Sequence, residues 1–174
     1  MVIVLTGVCG AGKTTVGRLL AKDLRVPFYE GDDYHSPHAL LKMASSIPLT
    51  DSDRQPWLAV LQQLIRMNIR MGETMVLACS ALKKSYRDLL SCGSREVHFV
   101  LLCGGYDLIS ARLKNRQGHF AKVDLLASQF TILEESTECL QVDVTAQPRE
   151  IVTFIKQQFC LSLDSGLPAG TETD

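Results

Sequence analysis

Apolar and polar positions alternate along the 174-residue chain in blocks of two periods. Short continuous apolar runs, "VIVLTG", "VPFY", "TMVLAC" and "VHFVLLC", have the character of strands buried on both faces, and "CLQVDV" makes a fifth. Between them lie segments with apolar residues three and four apart. In "KTTVGRLLAKDLR" the stripe is Val16, Leu19, Leu20 and Leu24. In "DSDRQPWLAVLQQLIRMNIR" it is Trp57, Val60, Leu61, Leu64 and Ile65, with Asp51, Ser52 or Asp53 available as a cap. "YDLISARLKNR", most of "VDLLASQFTILEE", and "PREIVTFIKQQF" also have helical spacing, the last with proline in its first turn. Five strands separated by helical connections predict an α/β fold, a five-stranded parallel sheet with helices on both faces and right-handed crossovers.

Composition narrows this little. The apolar fraction of 46% and the length suit one domain, predicted over residues 1–160, and the small, polar tail 161–174 reads as disordered. Eighteen basic residues against nineteen acidic ones leave no field to draw in nucleic acid or an anionic membrane. No apolar run has the roughly 18 residues that span a bilayer, and "MVIVLTG" reads as a first strand, not a secretory leader. Six scattered cysteines without CxxC pairs read as small core residues of a protein kept in a reducing compartment, the cytoplasm.

The chemistry starts at "GVCGAGKT". Gly7, Val8, Cys9, Gly10, Ala11, Gly12, Lys13 and Thr14 match the phosphate-binding loop G-x-x-x-x-G-K-[ST], placed after an apolar strand and before an amphipathic helix. Glycines let successive N–H groups curl around a phosphate, and the helix that continues through Thr15 adds its positive end. Lys13 is placed to reach the β- and γ-phosphates of ATP, and the Thr14 hydroxyl to ligate Mg²⁺. This predicts the P-loop NTPase fold. No Asn-Lys-x-Asp segment reads guanine, so a small-molecule kinase fits better than a GTPase or a translocating ATPase.

A kinase needs an acceptor site at the carboxyl ends of the strands. "EGDD" ends the second strand and brings Glu30, Asp32 and Asp33, of which Asp32 is the candidate base or hydroxyl anchor and the others candidates to order Mg²⁺. His35 follows, either as a sugar contact or as the close of a turn.

Phe28 to His35, "KMASSIPLTDSDRQPWL", "CSALKKSYRDLL", "RLKNRQGHF" and "LLASQFTILE" together resemble the gluconokinase family, over nearly the whole chain to Phe159. The resemblance implies transfer of the ATP γ-phosphoryl group to the 6-hydroxyl of D-gluconate, and it suggests a homodimer. It also implies a site. Arg54 would grip the gluconate carboxylate bidentately. Ser80, and Lys83 with Arg87 four residues apart on one helix face, would meet carboxylate or transferring phosphate. A helical lid near residues 112–124 would carry Arg112 and Arg116 over the γ-phosphate, with Arg116 counted among the catalytic groups and His119 against substrate. Gln129 matches a family position without a derivable role. The adenine would rest near Thr145–Pro148, bringing in Gln147. Ala39 stands where such kinases carry asparagine and Ser46 where they carry glycine, which bears on acceptor affinity. The competing readings are a shikimate- or nucleoside-type kinase on the same scaffold and an ATP-binding protein with weak catalysis.

Overall fold

The computed structural model describes residues 1–45, 47–115, 121–134 and 137–161, with 121–124 as backbone only. Ser46, Arg116, Gly118, His119 and the tail 162–174 therefore lie outside the described residues, and so does the central part of the expected lid.

Strands β1 (Val2–Thr6), β2 (Phe28–Glu30), β3 (Met75–Ala78), β4 (Val97–Cys103) and β5 (Leu140–Asp143) form one parallel sheet in the order β2-β3-β1-β4-β5. β1 is the middle strand and every residue in it is fully buried, with Val4 opposite Leu77 on one side and Phe99 on the other. Because side chains alternate across a strand, Ile3 and Leu5 face one layer and Val2 and Val4 the other. The first layer holds α1 (Lys13–Leu24), α5 (Tyr106–Lys114), α6 (Ala121–Ile132) and α7 (Pro148–Gln158). The second holds α3 (Asp51–Met71) and α4 (Lys84–Ser91). Chain order reverses on either side of β1, so a crevice opens at its carboxyl end, where the phosphate loop leaves it.

Three local expectations need correction. The cap of α3 is Thr50, not Asp51, Ser52 or Asp53. Its hydroxyl accepts from the Asp53 N–H, and the Asp53 carboxylate accepts from the Thr50 N–H in return. Val60 is 42% exposed; of the expected stripe Trp57, Leu61 and Ile65 are buried, joined by Leu58 and Asn68, with Leu64 at the margin. Finally, "SPHALLKMA" forms an unpredicted helix, α2 (Pro37–Ala44), capped by the Ser36 hydroxyl on the Ala39 N–H, with proline at its first position. No disulfide joins any of the six cysteines. Among the described residues, no helix is long and apolar enough to cross a membrane.

Candidate active site

At the crevice lies a cavity of about 200 Å³, small for a ligand site (about 300–1,000 Å³). The loop between β1 and α1 forms its floor. Gly10 and Gly12 take φ of +81° and +99°, a region L side chains avoid, and a Cβ on Gly10 would meet Leu113 at 2.7 Å. Val8 and Ala11 bury their side chains in the core, so the loop turns backbone toward the cavity. Lys13 Nζ donates to the Gly7 and Val8 carbonyls at 2.9 and 3.0 Å, which fixes the ammonium across the mouth of the loop. Two of its three donors are used there, leaving one for a ligand.

Glu30 and Asp32 line the same cavity as Lys13, and so do Thr14, Thr15, His35, Arg54 and Ser80. The Thr14 hydroxyl donates to Glu30 Oε2 at 2.7 Å. Burial raises the pKa of the Glu30 carboxyl, the Thr14 bond opposes this, and the charge of Asp32 adds to it. A Thr hydroxyl beside a carboxylate offers hard oxygen donors that suit Mg²⁺. No group of three or more His, Cys, Asp or Glu side chains gathers around a metal-sized space among the described residues. Mg²⁺ held at Thr14 and Glu30 would take its other ligands from substrate phosphates and water.

Asp32 sits in a short 3₁₀ turn, Gly31–Tyr34, held from below by α3. Trp57 Nε1 donates to the Gly31 carbonyl at 2.7 Å, and its ring stacks on His35 with centroids 4.4 Å apart. A Cβ at Gly31 would lie 2.6 Å from the Ala78 carbonyl, so only glycine lets this turn close on β3. His35 Nε2 is 4.0 Å from Asp32 Oδ1, while Nδ1 is buried with no hydrogen-bond partner among the described residues. Burial, helped by the charge of Arg54 and opposed by Asp32, lowers the pKa of this imidazole.

Arg54 enters from the first turns of α3. Its Nη1 is 3.4 Å from the Tyr86 hydroxyl and 3.6 Å from Asp51, and the Tyr86 hydroxyl donates to Asp51. One exposed carboxylate therefore orients Arg54 from outside, and the guanidinium keeps donors for an anion in the cavity.

Other expected positions fall elsewhere. Lys83 is the N-cap of α4, not a residue within it, so it shares no helix face with Arg87. Its amine is taken by Asp51 at 2.7 Å, and it does not line the cavity. Arg87 is 3% exposed, and its guanidinium donates to the Ala81, Leu82 and Glu134 carbonyls. It is a structural bolt and is not among the residues lining the cavity. Arg112 lies in the last turn of α5 and donates to the Val144 carbonyl at 2.6 Å. Gln147 is exposed at the start of α7 and, like Arg112, does not line the cavity. Ala39 is buried in the first turn of α2, outside the cavity lining. Trp57, Tyr86 and Gln129 do line it. For Trp57, helical periodicity pointed only to the core.

A glycine-rich cradle with its lysine, facing an acidic turn and an arginine across one crevice of a parallel sheet, defines a small-molecule kinase of the P-loop class. The family model described as shikimate kinase matches residues 9–156. Within that class the chain belongs to the gluconokinase family. It is 41% identical to the probable gluconokinase of Mus musculus, over 90% of this chain and 96% of that one. It is 42% identical to the thermosensitive gluconokinase of Escherichia coli over 88% of both. The crystal structure of a gluconokinase from Sinorhizobium meliloti superposes with a TM-score of 0.77 at 41% identity, covering 87% of this chain and 86% of that one.

Proposed function

We propose that this protein transfers the γ-phosphoryl group of ATP to the 6-hydroxyl of D-gluconate. The observation that carries this is the shared cavity: Lys13 and the phosphate-loop backbone on one side, Asp32, His35 and Arg54 on the other. The loop amides and Lys13 hold the triphosphate. Arg54 takes the sugar-acid carboxylate, which orients the chain of hydroxyls along the cavity toward Asp32 and Ser80. Asp32 accepts the proton of the attacking hydroxyl as its oxygen bonds to the γ-phosphorus; the bond from that phosphorus to the bridging oxygen breaks, and ADP leaves with the electron pair. Thr14, with Glu30 behind it, would hold Mg²⁺, which neutralises charge on the phosphate oxygens when bound. Arg116 and His119 remain proposed as groups covering the γ-phosphate and substrate, and Arg112 and Gln147 as parts of the nucleotide site's outer wall.

Six thiols and no disulfide suit a reducing cytoplasm, where ATP is at hand. A homodimer belongs to the same reading, and the exposed Val60, Met67 and Met71 on α3 give it an apolar stripe to bury.

The test is ATP turnover with D-gluconate, its epimers, shikimate and common nucleosides. Gluconate-dependent ADP release well above the acceptor-free rate is the expected result. Equal rates with and without gluconate would sink the proposal, and a shikimate-dependent rate would transfer the site to the rival acceptor.

A further inference from the structure

The kinase mechanism gives no task to Gln129, a polar side chain of the cavity wall. Leu125, Gln129 and Ile132 lie on one face of α6, spaced four and three apart, and all three line the cavity. Gln129 is the polar member of that face. Its Oε1 accepts from the Cys9 backbone N–H at 2.6 Å, across 120 residues of chain. Because the partner is an N–H, the carboxamide oxygen must point at the loop and its NH₂ group away from it.

The other edge of the same peptide unit explains why this contact sits where it does. The Val8 carbonyl, bonded covalently to the Cys9 nitrogen, accepts from Lys13 Nζ at 3.0 Å. Carbonyl and N–H point in opposite directions in a trans peptide, so the ammonium, the Val8–Cys9 peptide and the Gln129 carboxamide form one polar chain. The positive end polarises each dipole in turn, which strengthens the Cys9 donor and leaves the Gln129 NH₂ group more acidic than a free amide. The amides from Gly12 to Thr15, at the head of α1, take an inner phosphate. The Val8–Cys9 peptide lies at the other end of the loop, against the Lys13 ammonium, the group placed for the β- and γ-phosphates. Among the described residues no acceptor takes the Gln129 NH₂ donors.

We infer that Gln129 binds the terminal phosphoryl group of the nucleotide through its side-chain NH₂, so that the site distinguishes a triphosphate from a diphosphate. The inference rests on the kinase reading. It adds to that reading a helix outside the phosphate loop that senses the group being transferred, and lets ADP leave without breaking this contact.

Calorimetric titration of the full chain with a β,γ-non-hydrolysable ATP analogue and with ADP tests it, in the presence of Mg²⁺. Gln129→Glu keeps an oxygen for the Cys9 N–H but turns a carboxylate oxygen toward the phosphate. It is expected to weaken the triphosphate analogue by about ten- to a hundredfold and ADP by less than about threefold on the same scale. Gln129→Met, of similar length with neither donor nor acceptor, is expected to weaken the analogue about tenfold, again with ADP less affected. Melting curves check that both variants fold, and a variant that does not is replaced in the comparison by the other. If the two nucleotides weaken by the same factor, or if neither weakens, the inference is overturned and Gln129 only braces the loop. Wild-type protein that binds neither nucleotide would overturn the kinase reading, and the inference with it.

Discussion

Replacing Arg87 with methionine separates a structural arginine from a substrate-binding one. The change keeps an apolar stem and removes the guanidinium, which donates to three carbonyls at 3.1, 2.9 and 2.8 Å. The three are not equal. The Leu82 carbonyl keeps a second donor, the Glu134 N–H at 2.9 Å, and Glu134 is exposed enough for its own carbonyl to regain water. The Ala81 carbonyl, on a residue 1% exposed with φ of +35°, has no replacement. One orphaned buried acceptor costs about 1–3 kcal/mol, and two weakened charge-assisted bonds add roughly 1 kcal/mol together. The expected loss is about 3 kcal/mol, a large part of a typical domain's stability, and a fall in Tm of roughly 6–12 °C for a chain of this size. Urea unfolding followed by the fluorescence of Trp57, the sole tryptophan, measures it. At a temperature where the variant is folded, the KM for gluconate should stay within about twofold, a change worth under 0.5 kcal/mol. An unchanged midpoint with a KM raised tenfold would refute this reasoning and return Arg87 to the substrate.

Trp57→Phe removes the donor to the buried Gly31 carbonyl; we expect a loss of about 1–3 kcal/mol, read by far-UV circular dichroism because the fluorophore is gone, together with a lower kcat because the turn carrying Asp32 loosens. A normal kcat would show that the turn needs no support from α3. His35 prefers to stay neutral in the folded state, below its ordinary pKa of 6.5. The unfolded chain therefore binds the proton more readily, and stability should fall as pH drops below about 6.5 and level off under the folded-state value. The His35→Phe variant should show a smaller fall between pH 7 and 5, the residue of it coming from His98, whose pKa burial also lowers. Parallel curves for the two proteins would contradict the assignment. Arg54→Ala should raise the KM for gluconate about ten- to a hundredfold and leave that for ATP nearly unchanged. Steady-state kinetics with each substrate varied in turn decides it.

The strands were legible because each is a short apolar run, and the sheet hides both faces of its central members. The run "VHFVLLC" matches β4 to the residue. α2 was not legible, because "SPHALLKMA" carries no stripe: Leu40 and Leu41 are 45% and 69% exposed, while a capping serine and a proline specify the helix. Periodicity misjudged Val60 for a related reason. A 21-residue helix laid across a sheet has a contact face narrower than its apolar positions.

At the site, the loop was readable from residue types alone, since a backbone cradle depends on glycines at φ values that L side chains rarely adopt. Side chains that act through others were not. Lys83 and Arg87 carry the charge a substrate needs, and spacing placed them together, but a cation near a pocket goes to whichever acceptor lies closest. For Lys83 that is Asp51, and for Arg87 three main-chain carbonyls. Both still matter to the site, at one remove. Arg87 ties the Ala81–Leu82 segment, whose Leu82 lines the cavity, to Glu134 just past the end of α6. Lys83 shares Asp51 with Tyr86 and Arg54, so the carboxylate that sets the sugar-acid grip is itself set by a lysine. A sequence shows how many charges converge on a crevice; which of them remain for a ligand depends on how many internal acceptors the fold brings within 3 Å, and Arg54, with Tyr86 at 3.4 Å and Asp51 at 3.6 Å, is loosely held among the described residues.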